Sequence, residues 1–244
     1  MSQSHQDSGW QWLYRVGGVV ALIAVVVFRR HFGLEVMLLM DMGIIGLEPP
    51  SGALDWFTLL QGNRFLGLVL LDLFDIVNYV LVGLVFLALY GALRRANKGA
   101  MAVATASDLV GVAVYLASNQ AFAMSALSDQ YAAASTDAQR AALLAAGEAL
   151  LAIHNQGGIH LSLLLVALAG LIASLVMLRG GVFSRATAMV GMVANTLVLG
   201  YFVAIALAPA VAFLLPAISA PFRLIWYVLI ARRLFQLARG VAQL

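Results

Sequence analysis

The chain has no cysteine, a single lysine and few charges of either sign. Without cysteine there are no disulfide staples, thiolate metal ligands or thiol nucleophiles, and the redox compartment stays open. The lysine, Lys98, lies in a short polar loop, so no buried amine is available for Schiff-base chemistry. Charged residues fill 10% of the 244 positions, where soluble domains carry about 25%, and a soluble fold is excluded. No P-loop, dinucleotide fingerprint, nucleophile elbow or basic-aromatic surface occurs. No cofactor and no nucleic-acid partner are therefore expected, and no catalytic residue is assigned.

What is present is apolar length. Hydrophobic residues make up 63% of the chain, and they gather into runs near the roughly 20 residues that cross a bilayer at 1.5 Å each. The runs predict six spans at about 12–28, 65–90, 100–120, 159–178, 186–207 and 211–231. The expected fold is all-α, a polytopic membrane helical bundle with six transmembrane helices in one integral membrane domain over 1–244. Segments 29–64 and 121–158 fall outside the membrane in this reading. Residues 1–11 are polar and no small-residue cleavage site follows the first apolar run, so no signal peptide is expected.

Local signals mark the joints. Trp10, Trp12 and Tyr14 form an aromatic opening to the first span, and Trp226 and Tyr227 close the last one ahead of a basic tail. The stretch 34–47 is apolar but short and carries Glu35 and Asp41, which reads as an interfacial or re-entrant segment. A turn at Pro49 and Pro50 leads to a short amphipathic helix, and Asn63 caps the second span. Thr136 with Gln139 makes a capping box and Asp137 suits a helix N-terminus, so an extracytoplasmic amphipathic helix is expected over 137–151.

Polar residues inside the spans carry the functional content. The second span holds Asp72, Asp75, Asn78 and Tyr79, the third Asp108 and Tyr115, the fifth Asn195 and the sixth Arg223. One Asp at the bilayer centre costs roughly 2.5–3.5 kcal/mol, so these groups need partners, water or protonation. At 100° per residue Asp72, Asp75 and Tyr79 share a face, as do Asp108 and Tyr115, while Asn78 lies off its stripe. Together the eight form a candidate intramembrane polar or ligand site, with an Arg223–Asp ion pair the favoured reading over an anion site. Thr187 and Gly191 offer a small-residue helix contact. Ser107, Ser118 and Ser162 read as packing hydroxyls. His154 and His160 are the metal candidates, but their spacing of six turns them about 120° apart on a helix, and no metal site is assigned.

Orientation follows from the basic residues. With both termini cytoplasmic, nine of the Lys and Arg residues lie inside, including Arg94, Arg95, Lys98, Arg232 and Arg233, and four lie outside.

The order of LLDLFDIVNYVLVGLVFLALY, SNQAFAMSALSDQYAAASTDAQRAALLAAGEALLA, VMLRGGVFSRATAMVGM and PFRLIWYVLIARRLF resembles the bacterial membrane family called domain of unknown function 4386, over about residues 12–238. The resemblance implies a multi-pass protein of the bacterial inner membrane and supplies no catalytic residue. Three functional classes follow. The first is a non-catalytic accessory or regulatory component, with the lipid bilayer and a membrane-protein partner or second copy as its partners. The second is a small-solute or proton-coupled transporter using the Asp/Arg cluster. The third is an intramembrane metal-dependent hydrolase.

Overall fold

The computed structural model describes residues 10–28, 50–212 and 214–240, apart from the side chains of residues 154–156. The expected re-entrant segment 34–47, with Glu35 and Asp41, lies outside the described residues, as does the side chain of His154. Among the described residues every regular element is a helix. They are α1 (Trp10–Phe28), α2 (Ala53–Gly62), α3 (Arg64–Leu70), α4 (Leu73–Leu93), α5 (Lys98–Ser118) and α6 (Ala121–Ala133). Then follow α7 (Asp137–Gln156), α8 (Gly158–Gly180), α9 (Arg185–Leu207), α10 (Pro209–Ala212) and α11 (Leu214–Ala238).

Six helical stretches are long and apolar enough to cross a membrane: Trp10–Phe28, Leu73–Leu93, Lys98–Ala133, Asp137–Gly180, Arg185–Leu207 and Pro209–Ala238. The all-α multi-span bundle expected from the sequence is the fold of the chain. Val19, Val103, Val203 and Leu207 stand exposed on these stretches, as lipid-facing side chains do.

The chain forms two compact units. The first comprises residues 1–27, 78–113 and 162–244, and the second residues 28–77 and 114–161.

In the first unit, small residues let backbones approach. A Cβ on Gly17 of α1 would stand 2.3 Å from Ala88 Cβ of α4. A Cβ on Gly191 of α9 would lie 2.3 Å from both Ser174 Oγ of α8 and Trp226 Nε1 of α11. Around these contacts Phe86, Leu89, Met101, Met177, Ile230 and Leu234 fill the core. Tyr14, Trp226 and Tyr227 are buried in it as well, so three of the aromatics that the sequence places at span ends pack inward.

In the second unit, α2, α6 and α7 enclose Phe57, Leu60, Leu71, Met124 and Leu151. The helix ends are satisfied locally. Asn63 Oδ1 accepts from Leu66 N–H at 3.0 Å, capping α3. Thr136 Oγ1 accepts from Gln139 N–H at 3.2 Å at the start of α7, while Gln139 Oε1 reaches back to Ser135 N–H at 3.1 Å. Glu148 Oε1 accepts from Ala53 N–H at 2.6 Å, so α7 supplies a negative partner to the N-terminus of α2. Arg64 ties α3 to α6 by an ion pair with Asp129 and a bond from its Nε to Ser125 Oγ at 2.9 Å.

The apolar run 65–90 is divided rather than continuous. It contains α3 and most of α4, separated at Leu71 and Asp72, and Asp72 adopts a φ of 63°. Asp is among the few residues other than glycine that accept this left-handed conformation, because its short polar side chain bonds locally.

Candidate functional site

A buried carboxyl group on α5 is the most unusual feature of the first unit. Asp108 is 0% exposed, and neither of its carboxylate oxygens has a hydrogen-bond partner among the described residues. Its surroundings explain the absence. A Cβ on Gly83 of α4 would stand 3.9 Å from Asp108 Oδ2, 3.4 Å from Leu109 Cδ2 and 3.6 Å from Val112 Cγ2, so the carboxylate is directed at a bare, apolar stretch of α4. One turn further along α5, a Cβ on Gly111 would lie 3.0 Å from Val166 and 3.2 Å from the Ser162 carbonyl, which brings α8 close to the same helix.

Two other groups of the candidate site, Tyr79 and Arg223, are related to Asp108 through Tyr227, which the sequence did not single out as a site member. The buried Tyr227 lies within electrostatic range of Arg223, Asp108 and Tyr79. Arg223 is half-buried one helical turn before Tyr227 on α11. The expected ion pair between Arg223 and an aspartate does not form with Asp108, whose oxygens are unpartnered.

The remaining residues do other things. Asp72, Asp75 and Tyr115 lie in the second unit. Tyr115 Oη donates a long bond to the Asp72 carbonyl at 3.5 Å, and Asn119 Nδ2 donates to the Leu71 carbonyl at 3.3 Å. Tyr115 of α5 and Asn119 just past its end thus stabilise the backbone of the α3–α4 break, using Asp72 through its main chain. Asn195 donates from Nδ2 to the Gly191 carbonyl one turn earlier on α9 at 2.7 Å and packs on Gly170 of α8. It is a self-satisfied contact between helices. Asn78 is half-buried and makes no side-chain hydrogen bond among the described residues.

Two buried groups enter that the sequence did not single out as site members. Ser162 Oγ and Trp226 Nε1 are buried without hydrogen-bond partners among the described residues. Neither departs from ordinary span composition, so only the fold exposes them as unsatisfied. Among the described residues no three His, Asp or Glu side chains gather as a metal-binding group.

Chemically, an acid surrounded by apolar atoms is satisfied only by a proton, by a small cation or by water that reaches it.

An all-helical bundle with six bilayer-length stretches and a buried intramembrane acid defines a multi-pass integral membrane protein. The family model described as domain of unknown function (DUF4386) matches residues 51–233, most of the chain, and the chain belongs to that family. No curated protein and no solved structure matches it.

Proposed function

We propose that Asp108 is the proton- or cation-binding group of an intramembrane site, and that the protein is a small-solute or proton-coupled transporter of the bacterial inner membrane with both termini cytoplasmic. The observation that carries this reading is the complete burial of Asp108 with both oxygens unpartnered. An acid retained only to tie helices together would be hydrogen-bonded across them, as Ser219 of α11 is to the Ala194 carbonyl of α9 at 2.9 Å. Arg223 adds a positive charge near the same tyrosine, which suits an exchange of charges. The basic residues support the orientation by the positive-inside rule.

The test is thermal unfolding of the purified protein and of Asp108→Asn, in sodium, lithium and a bulky organic cation, across a pH series. A ligand that binds the folded state alone raises its stability by mass action. The reading requires a shift with cation or pH in the wild type that the variant loses. Equal responses in both would contradict it, and a co-purifying membrane protein would then favour an accessory role.

A further inference from the structure

A second feature of the first unit lies away from Asp108. A cleft of about 410 Å³ opens between the start of α9 and the C-terminal turns of α11. Its polar lining is Val182 by its backbone, Ser184, Thr187, Arg232, Arg233 and Gln236, with Phe183 and Leu229 as apolar wall. Among the described residues no acidic side chain lines it, and the two arginines give that lining a net positive charge.

The arginines differ in role. Arg233 donates from Nε to the Val182 carbonyl and from Nη1 to Gln236 Oε1 at 3.2 Å. These bonds engage two of five N–H donors and fix the planar fork along the wall. Arg232 is exposed at the mouth. Ser184 and Thr187 line the same cleft; their hydroxyls are bonded to each other at 2.9 Å, and Ser184 Oγ also accepts from Thr187 N–H at 3.1 Å as the cap of the 23-residue α9. The cleft also lies where two membrane-length helical stretches end, which is the level of lipid headgroups.

We infer that this cleft binds a phosphate group, held by Arg232 and Arg233 with the Ser184–Thr187 hydroxyl pair. A fixed guanidinium fork, a second exposed one and the hydroxyl left free to donate by the Ser184–Thr187 pair match the several oxygens and charge of a phosphate. Two sources share that chemistry, an anionic phospholipid headgroup and a free phosphate compound. Basic clefts between membrane helices on the cytoplasmic side are a recurrent place for the first.

The experiment uses the full chain in neutral detergent at constant ionic strength. Binding is read by thermal unfolding against added phosphatidylglycerol, phosphatidylcholine, inorganic phosphate or chloride. The variants are Arg232→Gln, chosen because that side chain is exposed and holds no internal bond, and Arg239→Gln as an adjacent basic control outside the cleft. A lipid site gives stabilisation by phosphatidylglycerol but not phosphatidylcholine, with apparent affinity about fivefold weaker in Arg232→Gln and less than about twofold weaker in Arg239→Gln. A free-phosphate site gives the same pattern with inorganic phosphate in place of the lipid. Stabilisation by neither probe, or equal weakening in both variants, overturns the inference. Asp108→Asn leaves this binding unchanged, which keeps the outcome separate from that of the transport reading.

Discussion

A Cβ on Gly170 would stand 2.3 Å from Asn195 Oδ1, so the amide of α9 occupies space that glycine alone leaves open on α8. Because Asn195 is also bonded to the Gly191 carbonyl at 2.7 Å, it cannot swing away without losing that bond. Gly170→Ala should destabilise the protein by about 1–3 kcal/mol, the usual cost of overpacking. Asn195→Ala in the same chain should return part of that loss, a coupling that thermal unfolding of the four proteins in a double-mutant cycle would measure. Additive effects would show that the two helices do not meet here.

Asp72 is held at a φ of 63° between α3 and α4. If conformation is what this position requires, Asp72→Gly and Asp72→Asn will preserve the melting temperature, because both tolerate the left-handed region. Asp72→Val should cost about 1–2 kcal/mol. A glycine variant as unstable as the valine one would mean that the carboxylate itself matters.

The N-terminus of α7 depends on Thr136, whose hydroxyl accepts from Gln139 N–H at 3.2 Å. Thr136→Ala should cost about 0.5–2 kcal/mol and speed hydrogen exchange in the first turn, while Thr136→Ser should not. Unchanged exchange in the alanine variant would remove the cap from the account.

Asp55 supplies the pH dependence. The Ser51 backbone N–H and hydroxyl donate to its Oδ2 at 3.2 and 3.1 Å and hold the carboxyl below its ordinary range. A folded value below the unfolded one means that the contribution is complete above the ordinary carboxylate range and is lost as pH falls through the folded value. Carbon-13 NMR of the carboxyl should show the titration move up toward the ordinary value in Ser51→Ala. Identical titrations would contradict the assignment.

How much of this was legible in the sequence depends on how local the cause is. Asn63 and Thr136 were readable because a cap involves four consecutive residues and one side-chain oxygen. The spans were readable because composition alone determines what can enter lipid. The break at Leu71 and Asp72 was not, since apolar residues continue on both sides and the carbonyls are answered by Tyr115 and Asn119 more than 40 residues away. Asp108 was visible as an acid in a span, but its lack of partners arises from Gly83 on another helix. Arg232 and Arg233 counted only as charges for topology, because the cleft they line is closed by the loop before α9.

If Asp108 exchanges a proton or a cation inside the membrane, infrared spectroscopy of the reconstituted protein will register the change at its carboxyl group. Difference spectra across pH, in sodium and in a bulky organic cation, should contain a carboxylic-acid carbonyl band that changes with condition and is absent from Asp108→Asn. If the band is the same in the wild type and the variant, or does not change with pH or cation, Asp108 is an inert buried acid and the transport reading fails.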